Sequence, residues 1–219
     1  MNSKSWPYHD NDSGSLNKAD KFVAHLFEYK KTGSFLDIGC APPARTDDLS
    51  TWSNSYALEQ LGWKGICIDL SYIPNWYRKA AYYNLDALKI DYNDFLNKSN
   101  MPKAFDYLSL DIDIPYTEIV LEKILKSEYE FKVGIIEHDW YGLPERLPSR
   151  EKMRDLLLER DYYPLCSDVW FCKNEYFEDW WVNKKYFDIE KLSYLDCDKK
   201  HFTDIMRFID QKEKIYNNG

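Results

Sequence analysis

Between Ser34 and Asp69 the chain passes from one short apolar run to another, and this stretch narrows the fold more than any other. Phe35-Leu36-Asp37-Ile38 reads as a strand that stops at Gly39. Tyr56-Ala57-Leu58-Glu59-Gln60-Leu61 has the pattern of a helix, and Gly65-Ile66-Cys67-Ile68 reads as a second strand ending on Asp69. Two strands joined through a helix lie parallel. In such a unit a ligand sits at the carboxyl ends of the strands, here marked by Gly39 and Asp69. Glycine lets the backbone turn sharply and come close to a ligand, and an aspartate closing the second strand can accept hydrogen bonds from ribose hydroxyls. A dinucleotide fingerprint would also place glycines at Ala41 and Ala44. Their absence favours a nucleoside ligand without a diphosphate. Taken alone, Gly39 is also an ordinary strand-ending turn.

The remaining pattern extends this unit into one α/β domain. A chain of 219 residues suffices for a single core. Residues 1–33 read as a polar arm and an amphipathic helix, with Phe22, Val23, Leu26 and Phe27 on one face; residues 34–183 form the core; residues 184–219 form a charged helical tail packed on it. Helices are expected over Tyr72 to Ala81, Asp91 to Leu96, Thr117 to Lys126 and Arg150 to Arg160. Strands are expected at Tyr83 to Leu85, Phe105 to Asp111, Lys132 to Ile136, Tyr162 to Leu165 and Val169 to Cys172, the last closing the sheet antiparallel. The fold class is a Rossmann-like, doubly wound, mostly parallel seven-stranded sheet with an antiparallel last strand and helices on both faces.

A net charge of −8 offers no general attraction to nucleic acid phosphates. The five cysteines are scattered and lack zinc-finger spacing, and Cys40 and Cys67 read as small buried hydrophobes. A reducing cytoplasm is the expected compartment. The N-terminus has no apolar signal region, no segment has membrane-span length, and no membrane partner is expected. The Asp10-Asn11-Asp12-Ser13-Gly14 run lacks the bidentate Glu of a calcium loop and reads as a flexible arm. Aromatic residues make up 17% of the chain, and core packing accounts for them more simply than a ring-lined cleft.

Two later clusters carry chemistry. Asp111 and Asp113 sit at alternate positions at the end of the fourth strand, so they are expected on one side. Two such carboxylates bind a cation, bind a substrate amine or hydroxyl, or share a proton. Glu137-His138-Asp139 ends the fifth strand, where flanking acids raise the basicity of His138 and fix its tautomer. His138 is therefore a candidate general base, the alternative being a ring that bonds only to backbone and shapes the pocket. Arg146 and Arg150 follow as candidates for an acidic substrate group or as surface charges.

Leu36-Asp37-Ile38-Gly39-Cys40-Ala41, Ser53-Asn54-Ser55, Leu58-Glu59 and Gly62-Trp63-Lys64-Gly65-Ile66-Cys67-Ile68-Asp69 together resemble the FkbM family of S-adenosylmethionine-dependent methyltransferases. Phe105 to Asp113 is similar to that family's fourth strand, Ile135 to Asp139 to its fifth, and Glu178-Asp179-Trp180-Trp181-Val182 to its closing segment. The resemblance implies an O-methyltransferase that uses S-adenosylmethionine on a hydroxyl of a sugar or other small molecule. The donor site it implies comprises Asp37, Gly39, Cys40, Ala41, Asn54, Asp69, Leu70, Asp86, Ala87 and Asp111. Gly39 and its neighbours would face the amino-acid part, Asp69 the ribose and Asp86 the adenine, although Asp86 also suits a helix cap. Asp111 would lie near the sulfonium, with Asp113 and His138 near the acceptor, giving Asp111, Asp113 and His138 as the catalytic set. Pro42-Pro43, Ile114-Pro115 and Asp139 depart from the family pattern. The added acid density raises a metal-dependent variant, in which Asp111, Asp113, Glu137 and Asp139 gather magnesium or manganese. The expected partner is a small-molecule or carbohydrate acceptor, and a homodimer is open to the chain. The competing readings are an NAD-type Rossmann oxidoreductase and a non-catalytic nucleoside-binding interaction module.

Overall fold

The computed structural model describes residues 18–40, 53–73, 76, 78–172 and 175–218. The N-terminal arm, Ala41 and Pro42-Pro43 lie outside the described residues. Eight strands form one sheet in the order β3-β2-β1-β4-β5-β7-β6-β8. They are β1 (Ser34–Ile38), β2 (Lys64–Asp69), β3 (Ala81–Asn84), β4 (Ala104–Leu110), β5 (Glu130–Glu137), β6 (Tyr162–Trp170), β7 (Tyr176–Asn183) and β8 (Cys197–Asp198). Neighbours β3, β2, β1, β4 and β5 pair parallel, whereas β7 runs antiparallel to both β5 and β6. The sheet is therefore doubly wound and mostly parallel with one inserted antiparallel strand, as the sequence implies. The eighth strand, pairing parallel with β6, adds to the seven expected.

Helices cover both faces. Helix α1 (Ala19–Leu26), α2 (Tyr56–Leu61) and α7 (Phe202–Asn218) lie with the core that holds Phe22, Phe35, Tyr107, Val133 and Trp180. Helices α3 (Tyr92–Lys98), α4 (Tyr116–Leu125) and α5 (Leu147–Leu158) lie with Leu36, Ile38, Leu108, Leu121, Met153 and Trp181. Strand alternation produces this division: Phe35 and Leu36, like Trp180 and Trp181, go to opposite faces and are all fully or almost fully buried. A short α6 (Ile189–Leu192) precedes β8.

Three expected elements differ. The described residues between Leu70 and Ala80 carry no helix; Arg78-Lys79-Ala80 instead bends into β3 around the Glu59 carboxylate, which accepts from the Lys79 and Ala80 backbone N–H groups at 2.9 and 3.0 Å. The two short strands expected at 162–165 and 169–172 are one strand, β6, with register shifts at Pro164, Cys166 and Val169. The antiparallel closing strand is β7, over the segment the resemblance had picked out.

Candidate active site

Strand register builds the site. Ile38 pairs with Ile68 and with Leu110, and Leu110 pairs with Ile136. One residue further on, at the carboxyl ends, stand Asp69, Gly39, Asp111 and Glu137, and Glu137 pairs with Glu178 of β7. The ladder continues through this row: Gly39 N–H donates to the Ile68 carbonyl (2.9 Å) and Asp111 N–H to the Ile38 carbonyl (3.0 Å). Alternation puts these side chains on the α1/α2 face, above Cys67, Asp37 and Ser109, which pair in the row below. Gly39 is the gap in a line of acids.

That gap is enforced by backbone. Gly39 has φ +85°, and a Cβ there would stand 1.6 Å from the Asp111 carbonyl oxygen. The strand order reverses between β1 and its neighbours β2 and β4 at this point, the crevice in which doubly wound sheets bind ligands.

Below the row, Asp37 is 1% exposed and accepts a short hydrogen bond from Ser55 Oγ. Arg78 reaches Ser53 Oγ and Ser55 Oγ at 2.8 Å each, Glu59 at 3.2 Å, and lies 3.9 Å from Asp37. Burial pushes the Asp37 carboxyl up, against the pull of Arg78, Ser55 and Ser109. Asn54 Nδ2 donates to Ser109 Oγ at 3.2 Å. Asp37 and Asn54 thus sit in a buried framework that fixes the start of α2 against β1. Sequence reasoning missed Arg78, which lay unremarked inside the expected helix.

At the β2 edge, Asp69 Oδ1 accepts from Ser71 N–H at 2.7 Å, and Leu70 beside it is 72% exposed. Asp86 caps the short 3₁₀ turn Ala87–Lys89: one oxygen accepts from Leu88 N–H and the other meets Lys89 Nζ, both at 3.0 Å. The hydrogen bond from Lys89 holds its carboxyl below the ordinary value. Ala87 is buried, and Cys40 is buried with its thiol toward the Ile68 carbonyl (3.5 Å). Ala41 lies outside the described residues.

At the β4/β5 end, Asp111 and Glu137 hydrogen-bond to one another. Asp111 is exposed at the end of β4 and lies among the carboxyls of Asp37, Asp113, Glu137 and Asp139. Loss of hydration pushes its carboxyl up, as do Asp139, Asp37 and Asp113, while Glu137's hydrogen bond pulls it down. Burial, the Asp111 hydrogen bond and neighbouring carboxylates all push Glu137 up, so the pair holds a proton between its two carboxyls. Asp139, 3% exposed with φ +51°, accepts from Ile114 N–H at 3.3 Å, and its charge helps to push the nearby Tyr141 hydroxyl up.

The structure corrects four sequence expectations. His138 does not face this row. It lies on the α5 side, 2% exposed, with Nδ1 accepting from Trp140 N–H (3.2 Å) and Nε2 3.4 Å from one oxygen of each of Asp168 and Asp179. Those separations make ion-pair contacts without a well-directed hydrogen bond. Burial alone would lower the imidazole, but Asp168 and Asp179 outweigh it and hold His138 above its ordinary value. Asp113 does not continue the alternation, because β4 ends at Leu110 and Asp113 adopts φ +62°. Nor do Asp111, Asp113, Glu137 and Asp139 converge on a metal position. Among the described residues, the group with ligand atoms within 4.8 Å of one another is His138, Asp168 and Asp179. There Arg150 and Arg154 already supply the cations, at 2.8 Å from Asp168 and 2.7 Å from Asp179. Arg150 is accordingly a buried structural partner, and Arg146 donates to the Asp139 carbonyl at 3.0 Å.

Fold and site together define a doubly wound α/β protein with an acid-lined crevice at its strand ends. No protein-family model and no curated protein matches the chain. Among solved structures it is similar to the TehB-like SAM-dependent methyltransferase from Corynebacterium glutamicum. That likeness has 13% sequence identity and a TM-score of 0.48 and covers 78% of this chain and 87% of the other. Among the described residues no helix is long and apolar enough to cross a membrane.

Proposed function

We propose that the chain is an S-adenosylmethionine-dependent methyltransferase acting on a hydroxyl of a sugar or other small molecule. The observation that carries the reading is the row Asp69, Gly39, Asp111, Glu137 at the switch point of a sheet with one inserted antiparallel strand. The donor's sulfonium and ammonium are cationic and suit a slot flanked by carboxylates. A dinucleotide's diphosphate would be repelled by the same groups, and the dinucleotide-binding order 3-2-1-4-5-6 has no such insertion. The electrostatics therefore rank the oxidoreductase reading lower.

When bound, S-adenosylmethionine supplies an electrophilic methyl group. Asp69 accepts hydrogen bonds from the ribose hydroxyls, with Leu70 as an apolar flank for the nucleoside. Gly39 allows close approach of the donor's amino-acid part, and Asp37 acts through the framework beneath it. Asp86 and Ala87 border the base. Asp111 takes the proton from the acceptor hydroxyl, and its raised basicity suits that task better than an ordinary carboxylate would. Glu137 holds Asp111 in place through the shared proton, and Asp113 lies at the acceptor's approach.

Calorimetric titration with S-adenosylmethionine, S-adenosylhomocysteine and NAD, repeated on Asp69→Ala, tests the reading. Micromolar binding of the first two, weakened at least tenfold in the variant, is expected. Failure of the wild type to bind either refutes it, and NAD binding in their place moves the oxidoreductase forward. Donor binding without turnover across a broad acceptor panel favours the non-catalytic module.

A further inference from the structure

Four of the five cysteines stand in two thiol pairs that the sequence spacing conceals. Cys40 lies beside Cys67, and Cys166 beside Cys197. The pairs differ in access. Cys40 and Cys67 are both buried, whereas Cys166 is buried and Cys197 is partly exposed.

The second pair has the geometry of a cross-link. Cys166 of β6 and Cys197 of β8 are direct partners in a parallel register, so their side chains leave the sheet on the same face. Neighbouring strands lie about 4.8 Å apart, inside the range of roughly 4.4–6.8 Å over which a disulfide joins two Cα atoms. Cys166 Sγ also sits 3.3 Å from the Leu195 carbonyl, which keeps it against the turn leading into β8.

What the pair joins gives the cross-link a consequence. Strand β8 is two residues long and leads directly into α7, supported by the bridge between Trp170 and His201. Helix α7 returns across the sheet to α1, where Asp210 pairs with Lys21 at 2.8 Å and Glu213 meets His25 and Tyr29. A two-residue edge strand is a weak attachment for a 17-residue helix.

We propose that Cys166 and Cys197 are a thiol pair that closes to a disulfide under oxidation and clamps β8 and α7 to β6. The reactant is a low-molecular-weight disulfide such as glutathione disulfide. The Cys197 thiolate attacks one of its sulfurs, forming a mixed disulfide and releasing one glutathione thiolate. Cys166 then loses its proton and attacks the Cys197 sulfur, and the second glutathione leaves as a thiolate. The two protein thiols are oxidised, glutathione disulfide is reduced to two glutathiones, and the two protons pass to them at neutral pH. Burial pushes the Cys166 thiol up, so it acts as the slow resolving partner and Cys197 as the entry point.

The test is incubation of the full chain with glutathione disulfide, alkylation of remaining thiols, and peptide mapping without reduction. Exposed Cys172 reports that the oxidant was active. A Cys166–Cys197 linked peptide is expected, with an unfolding midpoint about 5–10 °C above that of the reduced protein. Both should vanish in Cys197→Ser and persist in Cys172→Ser. Glutathione on Cys172 with Cys166 and Cys197 both alkylated overturns the pairing. A linked peptide with an unchanged or lowered midpoint overturns the clamp.

Discussion

Replacing Gly39 by alanine is the sharpest perturbation of the crevice. The new Cβ would start 1.6 Å from the Asp111 carbonyl oxygen, and contacts below 3.0 Å are not tolerated, so the ends of β1 and β4 must separate by about 1.4 Å. The obstacle is main chain, so no rotamer change relieves it. Separation breaks the hydrogen bond from Asp111 N–H to the Ile38 carbonyl, which joins β4 to β1, about 1 kcal/mol. The left-handed φ adds about 1–2 kcal/mol and overpacking about 1–3 kcal/mol. The total, roughly 3–6 kcal/mol, is a large share of the 5–15 kcal/mol expected for a domain. Gly142 provides the control: its φ is +76°, but nothing lies within 4 Å of its added Cβ, so Gly142→Ala should cost only about 1–2 kcal/mol. Urea unfolding of both variants gives the comparison, and titration with S-adenosylhomocysteine gives the consequence for binding. Gly39→Ala should unfold at least about 1 M urea earlier than Gly142→Ala and lose binding. Equal midpoints for the two variants, with binding undiminished in Gly39→Ala, would refute the reasoning.

Three other predictions follow from the buried charges. Glu137 is held above the ordinary carboxyl value, so its contribution to stability is fully present below about pH 4.3 and is lost as the pH rises toward its native value. Glu137→Gln keeps a donor to Asp111 at every pH, so its stability relative to wild type should rise from pH 4.5 to 8. A constant difference in urea midpoint would show that the Asp111–Glu137 pair holds no proton. His138 is also raised, so its contribution is complete below about pH 6.5 and falls as the pH climbs through the native value. The stability gap between wild type and His138→Gln should therefore be widest near pH 5–6 and narrow in alkali, and a gap that widens instead contradicts the pairing with Asp168 and Asp179. Arg78→Ala leaves Asp37 and Glu59 buried without their cation and should cost about 3–5 kcal/mol. Arg78→Lys should restore less than half of that, because one ammonium cannot span Ser53, Ser55 and Glu59, and full rescue by lysine on chemical unfolding would disprove the forked arrangement.

The sheet was legible because its central strands announce themselves locally. Phe35–Ile38, Ile66–Ile68 and Val133–Ile136 are short apolar runs with clear ends, and parallel strands buried on both faces read that way. The turn at Gly39 and the acid at Asp69 were legible for the same reason, each ending such a run. The failures came where local pattern and tertiary contact part. Arg78 looked like an ordinary position within a helix because nothing in its neighbours says that Glu59, 19 residues earlier, will draw the chain into a bend. Strand β8 was missed because two residues carry no periodicity and its partner, Cys166, lies 31 positions away. Alternation also does not say where a strand stops. Asp113 was placed beside Asp111 by counting two residues along a strand that ends at Leu110.

His138 shows the same limit at the level of chemistry, and its resolution explains the site. At the end of β5 the chain alternates acid, histidine, acid, and the alternation sends these groups to different faces. On the α5 face, Asp168 and Asp179 meet Arg150, Arg154 and His138, and their hydrogen bonds and charges outweigh burial and hold both carboxyls below the ordinary value. On the α1/α2 face, Asp111 and Glu137 meet chiefly other carboxylates, and both are pushed up. Acids of one chemical type thus fall into two populations within one strand's thickness. Those matched by arginine hold β5, β6, β7 and α5 together and have no capacity left for a ligand. Asp111 and Glu137, which meet no arginine among the described residues, keep a proton between them and border the gap at Gly39, and in the proposed reading a cationic ligand supplies the positive charge there. The histidine next to these acids in the sequence says little about the crevice, because its ring belongs to the other face.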